Sequence, residues 1–486
     1  MTQTPPALRP ELQDVPTGAF IAGEWRSLPR TFSVDTPFDG SELARVSDAG
    51  PDEAQEAIEA AVAAFAAWKD DHFRRADLIA GWADLIEANT ERMARVMALE
   101  MGKPLAECKA EIGGGLGYIR YYIDAARHIS GERVSSRFAH KRGLTRSEAV
   151  GVVYAVTPWN FPMSMIARKA GPALAAGCPL ILKPAEQSPL TALLLAELWR
   201  QAGGPAGTLQ VLATNQPAEF SAPFFEDARV RKITFTGSTD VGRRLYAQAA
   251  PTLKRISLEL GGHAPTLVFA DADLDLAVRE SMVAKFRNAG QTCITANRFY
   301  VHADVVDEFA ARFAEAAGKL KMGDPLDPGT EIGPLVDDQG HAKVAAHVQD
   351  ALERGATALT GGQPGQGRFF EPTVLSGVQP GTRMLKEETF GPVAPIVSFT
   401  SDEEAVKLAN DSEYGLAAYV FTRDLSRAFR VTEALEFGII GVNDGGPVGA
   451  AAQAPFGGFK NSGIGKEGGH WGLDEYLQVK YIGLGI

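Results

Sequence analysis

From Ala149 to Ala250 the chain alternates between short apolar runs and helical patterns, and that alternation limits its possible folds more than any other feature. The runs are AVGVVYAVTPWNFP (149–162), PLILKPAEQSP (179–189), TLQVLAT and VRKITFTGS, each stopped by Gly, Pro, Ser or Thr. SMIARKAGPALAAG, LTALLLAELWRQAG and VGRRLYAQAA follow them with helical spacing. A helix between two strands carries the chain back to the end of the sheet where it started. The strands then run parallel, which predicts βαβ units in a doubly wound sheet. A second series begins near Pro265 (APTLVFADADLDLAVRESMVAKF), continues past Pro392 and predicts a second α/β unit. With 486 residues the chain is too long for one core, so two or three packed units are expected. Ahead of the strands, Ala54, Ile58, Ala61, Val62 and Phe65 recur at three- and four-residue spacing after Pro51. Further helices are predicted from about Phe73, around ERMARVMALEMG up to Gly102, and from Glu107 to Ile129.

Charge and cysteine content remove whole classes of function. Acidic side chains outnumber basic ones 60 to 48, a net charge of -12, whereas nucleic acids and anionic membranes call for basic patches. The opening MTQTPPALRPELQDVPTG lacks the apolar core of a signal peptide, and Ala170 to Leu182 is too short to span a bilayer. Cys108, Cys178 and Cys293 form neither a disulfide framework nor a CxxC pair, which suits a reducing cytosol. A soluble, cytoplasmic chain with neither a nucleic-acid nor a membrane partner is expected. Eight scattered histidines and no HExxH helix make a metal site unexpected, and there is no Walker A loop or GxSxG elbow.

Several segments carry chemistry. In FRNAGQTCITANR (286–298) Cys293 lies in a polar, Gly-containing loop flanked by Arg287 and Arg298, where a thiolate would be favoured. Cys108, inside a helix, and Cys178, between Gly177 and Pro179, read as inert buried thiols. In Thr157-Pro158-Trp159-Asn160-Phe161-Pro162, Asn160 either serves as a turn former or presents an amide N–H to a developing oxyanion. Glu259 ends an apolar strand before Gly261-Gly262, and is either a general base raised by burial or a helix cap. Gly463-Ile464-Gly465-Lys466-Glu467-Gly468 fits GxGxxG, but no strand precedes it and too few residues follow for a βαβ unit. The better phosphate site is VRKITFTGSTDVGRRLYAQ, where Gly237, Ser238 and Thr239 open a helix running through Gly242 and can offer backbone N–H groups to a pyrophosphate.

Taken in order, TPWNFP, KPAEQSP, FTGSTDVG, LELGGHAP, FRNAGQTC, EETFGP and PFGGFKNSGIGKEGG resemble the aldehyde dehydrogenase superfamily from about residue 17 to the C-terminus. The resemblance implies a Rossmann-like doubly wound cofactor domain (1–131 and 150–261) and a second α/β catalytic domain (262–460). It also implies a small β oligomerisation arm (132–149 and 461–486) in a homodimer or homotetramer. It makes Cys293 the nucleophile, Glu259 the base, and Asn160 with the Cys293 backbone N–H the oxyanion hole. Lys169 and Glu467 match positions linked to proton relay. Lys183 and Glu186 would hold the adenosine ribose, and Gly237, Ser238 and Gly242 the pyrophosphate. Trp159, Leu260, Glu388 and Phe390 would line the rest of the dinucleotide site. A carboxylate at Glu186 should repel a 2′-phosphate, so NAD is expected over NADP. Branches that pass the acyl group to coenzyme A generally lack the glutamate found at 259, so hydrolysis to a carboxylic acid is expected.

Within the superfamily the chain is most similar to the succinate-semialdehyde dehydrogenase branch, through SMIARKAGPALAAG and KFRNAGQTC. There Arg168 and Arg287, with Phe161 and Phe456 lining the pocket, are implied to bind the substrate. A guanidinium fork matches a distal carboxylate, although either arginine alternatively pairs with a structural acid. Thr295 stands where that branch often has a second cysteine, so no regulatory disulfide is expected. The loop Asn443–Ala454 is longer than its counterpart and lacks the serine offered to the carboxylate, which leaves glutarate semialdehyde or a small uncharged aldehyde as alternatives. Structural reuse of the fold without catalysis predicts decay of Cys293, Glu259 and Asn160, all of which are present. Esterolysis without a dinucleotide is opposed by Lys183, Glu186 and Glu388. The terminal LDEYLQVKYIGLGI alternates after Tyr476 as a strand that must be covered, by its own sheet or by another subunit.

Overall fold

Four helices precede the first parallel strand, and local chemistry sets their ends. Pro51–Trp68 starts with proline in its first turn, and the Glu53 side chain accepts the Gly50 N–H at 2.7 Å. Asp71 caps His72–Ala88 by accepting from the Arg74 N–H at 3.0 Å. Thr90–Met101 ends at Gly102, whose φ of 81° is the left-handed C-cap that glycine takes without strain. The fourth helix, α1 (Leu105–Arg127), buries Cys108, Glu111, Ile112, Gly115, Ile119 and Tyr122 on one face. The computed structural model describes residues 9–447 and 451–486.

Five parallel strands form the first sheet: β1 (Val152–Val156), β2 (Leu180–Lys183), β3 (Leu209–Val211), β4 (Val230–Thr236) and β5 (Arg255–Glu259). Helices α2 (Pro162–Ala176), α3 (Leu190–Gln201) and α4 (Thr239–Ala249) lie between them in the chain. The spatial order is β3-β2-β1-β4-β5, and the strand–helix alternation accounts for the shared direction of the strands. Strands covered on both faces are apolar throughout, and β2 and β3 are buried along their whole length. The hairpin Ala19–Ile21/Glu24–Arg26 extends this sheet beyond β3, and Gly463–Ile464 pairs antiparallel with Leu258 and Glu259 at the other edge.

The second sheet holds six parallel strands: β6 (Ala264–Val268), β7 (Ala296–His302), β8 (Thr373–Ser376), β9 (Val393–Phe399), β10 (Ala417–Phe421) and β11 (Ile439–Val442). Their order is β8-β9-β7-β6-β10-β11, with Thr357–Thr360 antiparallel outside β8. Helix α5 (Leu274–Phe286) links β6 to the segment that carries Cys293. Each sheet has its own core. Ile79, Trp82, Leu182 and Trp199 are buried in the first, and Phe299, Phe309, Phe313 and Val393 in the second. Each such side chain contributes about 1.5–3 kcal/mol on burial.

A third, smaller sheet joins Leu477–Gly485 to Lys141–Ala149 and then to Arg133–Val134, all antiparallel. The terminal strand is therefore covered on one edge by its own chain. Residues 461–486 do not act as one arm: Gly463–Ile464 belongs to the first sheet, and Gly469–Asp474 is a short helix packed on α1 and α2. The physical reason is the edge of β5, whose free N–H and C=O groups are paired by this returning segment. Among the described residues no helix is long and apolar enough to cross a membrane. The part of the Asn443–Ala454 loop at 448–450, on which its length and missing serine bear, lies outside the described residues.

Candidate active site

The first sheet has a topological switch between β1 and β4. The chain runs from β1 through β2 to β3 on one side, then returns to β4 and β5 on the other. Open α/β sheets bind ligands outside the carboxyl ends of strands at such a switch. Strand register puts Val156 opposite both Lys183 and Phe235, and Thr236 opposite Glu259. Trp159 and Asn160, Lys183 and Glu186, Gly237 and Ser238, and Glu259 and Leu260 thus all lie at or just beyond one edge of the sheet.

The features along that edge suit a dinucleotide. Lys183 Nζ lies 3.2 Å from Glu186 Oε2, with the lysine buried and the glutamate partly exposed. Ser238 caps α4, its hydroxyl accepting the Val241 N–H at 3.4 Å, so the first turn of α4 opens towards the crevice. Gly242 packs against Leu260, where a Cβ would come within 2.4 Å of Leu260 Cδ2. The Thr236 hydroxyl is buried with no hydrogen-bond partner among the described residues. Across the crevice Phe390, at a φ of 56°, meets Trp159 edge-on with ring centroids 5.6 Å apart. Glu388 accepts the Gly262 N–H at 3.1 Å, and burial pushes its carboxyl up to about 7.

Cys293 lies between α5 and β7, just after a left-handed stretch of three residues, Asn288 (φ 53°), Ala289 (φ 52°) and Gly290 (φ 73°). Only glycine fits at 290, because a Cβ there would lie 2.2 Å from the Gly391 carbonyl oxygen. The thiol is partly exposed to a cavity of about 190 Å³ whose walls include Tyr118, Phe161, Arg168, Arg287 and Phe456. Burial pushes the thiol up to about 12, with Glu388 and Glu259 adding to the shift and Arg168 and Arg287 opposing it. The favoured thiolate read from the flanking arginines is therefore not what the protein alone provides, and Arg298 takes no part. Its guanidinium donates to the carbonyls of His263 (2.9 and 3.0 Å) and Ala409 (2.9 Å), tying the start of β6 to the last turn of the helix Asp402–Asn410. Arg168, from the middle of α2, takes its place beside the thiol. Burial also pushes the Cys178 thiol up to about 11 and raises Cys108 well above the usual range, in keeping with inert cysteines.

Asn160 is buried and its Nδ2 donates to the Gln291 carbonyl at 3.0 Å, which brings the Trp159–Phe161 turn against the Cys293 loop. Glu259, at the end of β5, is buried with both carboxylate oxygens unpartnered among the described residues. Desolvation holds its carboxyl well above the usual carboxylate range. Glu467 adds to the rise, while Lys169, Lys466 and Arg168 oppose it. Behind it Lys169 Nζ is 2.5 Å from Glu467 Oε1 and 3.3 Å from the Thr234 hydroxyl.

Neither Arg168 nor Arg287 forms an ion pair among the described residues. Arg168 Nε and Nη1 and Arg287 Nε are buried without hydrogen-bond partners. The Arg168 guanidinium is 4.2 Å from the Phe456 ring centroid and 4.7 Å from that of Tyr118, and Arg287 is 5.5 Å from that of Phe161. Aromatic faces attract a cation but leave its N–H groups unsatisfied.

Sequence reasoning missed four contributors. Lys466, which donates to the Gly457 carbonyl at 2.7 Å and whose charge opposes the rise at Glu259, sits inside the GxGxxG look-alike, where the resemblance singles out Glu467 alone. Tyr118, Glu107 and Glu111 reach the cavity from α1, and nothing in its helical periodicity distinguishes a wall of the site from ordinary core. Among the described residues no group of three or more His, Cys, Asp or Glu side chains is placed to hold a metal ion.

The model of the aldehyde dehydrogenase family matches residues 25–482. This chain belongs to the aldehyde dehydrogenase family. A succinate-semialdehyde dehydrogenase of Escherichia coli, named for NADP(+), is 46% identical over 473 residues, covering 96% of this aldehyde dehydrogenase and 98% of the relative. A 3-sulfolactaldehyde dehydrogenase of Pseudomonas putida is 46% identical over 472 residues, covering 96% of each chain. Among solved structures, a succinate-semialdehyde dehydrogenase from Burkholderia pseudomallei has a TM-score of 0.96 at 46% identity, covering 98% of this chain and 99% of its own.

Proposed function

We propose that this aldehyde dehydrogenase oxidises a short aldehyde bearing an anionic group at its far end, succinate semialdehyde first, to the carboxylic acid. The observation that carries the reading is the pair of arginines in the cavity that holds the Cys293 thiol, Arg168 buried and Arg287 half-buried, neither in an ion pair among the described residues. A buried cation without a counter-charge is costly, and a substrate anion supplies one. The names of the relatives agree, since both a succinate semialdehyde and a sulfonated aldehyde carry an anion opposite the carbonyl.

Each site residue then has a role. The anion engages Arg168 and Arg287, and Phe161 and Phe456 pack on the carbon chain. Cys293 attacks the carbonyl carbon as the thiolate, its proton having passed to solvent. The second Asn160 amide N–H and the Cys293 backbone N–H receive the alkoxide, which is preorganised stabilisation of developing charge. When bound, a nicotinamide dinucleotide supplies hydride-accepting chemistry beside the thiohemiacetal carbon. Lys183 and Glu186 are assigned to its ribose, and Gly237, Ser238 and Gly242 to its pyrophosphate. Trp159, Leu260, Glu388 and Phe390 are assigned to the remainder. Glu259, made more basic by burial, takes a proton from the water that opens the Cys293 thioester. Glu467, paired to Lys169, is the next acceptor, its Oε2 buried and unpartnered.

Glu186 also supports NAD over NADP, because a carboxylate at the ribose hydroxyls repels a 2′-phosphate. The relative named for NADP(+) makes this worth measuring: Glu186→Ser should raise kcat/KM with NADP relative to NAD. The exposed apolar edge of Leu477–Gly485 supports a homodimer or homotetramer, and the reduced cysteines a cytoplasmic location. Residues 1–131 and 150–261 are assigned to dinucleotide binding, 262–460 to the catalytic thiol, and 132–149 with the terminal strand to assembly.

The test is steady-state NADH formation with succinate semialdehyde, glutarate semialdehyde and an uncharged aldehyde of similar length, repeated with Arg287→Ala. A charge-assisted bidentate contact should favour the semialdehydes by about tenfold or more in kcat/KM, and Arg287→Ala should remove the preference. Equal turnover of the uncharged aldehyde would overturn the anion-reading pocket and leave the dehydrogenase reading intact.

A further inference from the structure

The oxyanion donor and the nucleophile come from different sheets, Asn160 from the turn after β1 and Cys293 from the loop before β7. Rate depends on their separation, so something must hold one turn to the other. One bond that does so runs from Asn160 Nδ2 to the Gln291 carbonyl at 3.0 Å. A second connection passes through Asn288. Its Nδ2 donates to the Asn160 backbone carbonyl at 3.2 Å and to the same Gln291 carbonyl at 3.1 Å. Both neighbours of that nitrogen are acceptors, which fixes the orientation of the amide and leaves Asn288 Oδ1 buried without a partner. The backbone of Asn288 is held as well: its N–H donates to Glu107 at 2.8 Å, and its φ of 53° and ψ of 37° lie in the left-handed region that asparagine tolerates better than most residues. Lys103 steadies the other side, its Nζ donating to the Asn160 carbonyl at 2.9 Å.

We propose that Asn288 is a positioning residue for aldehyde oxidation, its side-chain amide clamping the Asn160 turn to the Cys293 loop so that the free Asn160 N–H points at the alkoxide. A residue placed only to make a turn would not need an amide aimed at two carbonyls from two elements. Nor would it leave its own oxygen buried and unsatisfied. The inference rests on the role proposed for Asn160. Asn288 is buried and does not line the cavity, and it acts by removing the freedom of the two turns to drift apart.

A double-mutant cycle tests it. Asn288→Gly keeps access to the left-handed backbone and deletes only the amide. The full-length enzyme would be assayed with an aldehyde substrate and NAD as wild type, Asn288→Gly, Asn160→Ala and the double variant, with dinucleotide binding by fluorescence as the check on folding. The expected result is a kcat lowered about tenfold or more by Asn288→Gly, with KM for the aldehyde within about twofold. In the Asn160→Ala background the same change should cost less than about twofold, because the donor it positions is gone. Equal losses in both backgrounds, or a change confined to KM, would mean a general structural role and overturn the proposal. If Asn160→Ala lowers kcat while Asn288→Gly does not, the clamp alone fails. If Asn160→Ala itself leaves kcat intact, the oxyanion assignment falls and the clamp falls with it. Should Asn288→Gly not bind dinucleotide, Asn288→Ser carries the same cycle, with the same two outcomes deciding.

Discussion

Three side chains of the site are each unfavourable alone: a thiol facing two carboxylates, a carboxylate without a donor, and a guanidinium without an anion. Their reactivity follows from the cause of each penalty. Cys293, pushed up to about 12 by burial, is protonated across the neutral range, so its thiolate fraction grows about tenfold per pH unit. Alkylation of the unliganded enzyme by iodoacetamide should therefore rise about tenfold per unit from pH 7 to 9, and a flat profile would show the thiolate already formed. Arg168 opposes that rise, so Arg168→Met should slow alkylation at every pH in the series. Glu259 is assigned to deacylation rather than attack. Glu259→Gln should leave a burst of about one NADH per site and lower the following steady rate by on the order of 10²–10³. Loss of the burst with the steady rate would place Glu259 in the first half-reaction instead.

Elements are joined to one another through buried acids. The N-terminus of α3 is capped from Thr90–Met101: Glu100 accepts the Leu190 N–H at 2.6 Å, the Thr191 N–H at 3.0 Å and the Thr191 hydroxyl. Glu111 on α1 does the same for α2, accepting the N–H groups of Met163 (2.9 Å) and Ser164 (3.1 Å) while paired with Lys103. These two contacts fix the helices on either side of β2, and with them the turn that carries Asn160. Glu100→Ala leaves buried donors unpaired and should lower stability by about 2 kcal/mol or more, read from the urea midpoint at constant m. A change within 0.5 kcal/mol, written as about one third of RT ln 10, would mean that water replaces the carboxylate.

At the scale of the whole molecule, the small sheet leaves one long edge open. Val479 and Tyr481 on Leu477–Gly485 are 72% and 63% exposed, and the outer edge of that strand has no partner among the described residues. An exposed apolar strand edge is an aggregation liability that assembly removes. Val479→Asp combined with Tyr481→Asp should reduce the mass seen by sedimentation while far-ultraviolet circular dichroism stays unchanged. An unaltered mass would place the subunit contact elsewhere.

Much of this was legible in the residues themselves. Strand–helix alternation depends on local periodicity and on the return geometry of a crossover, so both parallel sheets followed from it. TPWNFP, FTGSTDVG and LELGGHAP mark strand ends and FRNAGQTC a helix end, where side chains leave regular structure and chemistry is possible. Other assignments depended on contacts between distant segments, which no local pattern encodes. Arg298 and Arg287 both look like cations near a thiol, but the first faces the His263 carbonyl and the carbonyls of a helix end, and the second the cavity. Lys466 and Gly463–Ile464 sit in a false phosphate motif, and only the unpaired edge of β5 decides that they return beside Glu259. The sequence alone determined the alternation of strands and helices and the family to which the chain belongs, and it nominated the thiol, the carboxylate and the amide. Tertiary structure decided which charges meet the thiol and how strongly burial shifts it, because desolvation and Coulomb interactions depend on distances that only packing sets.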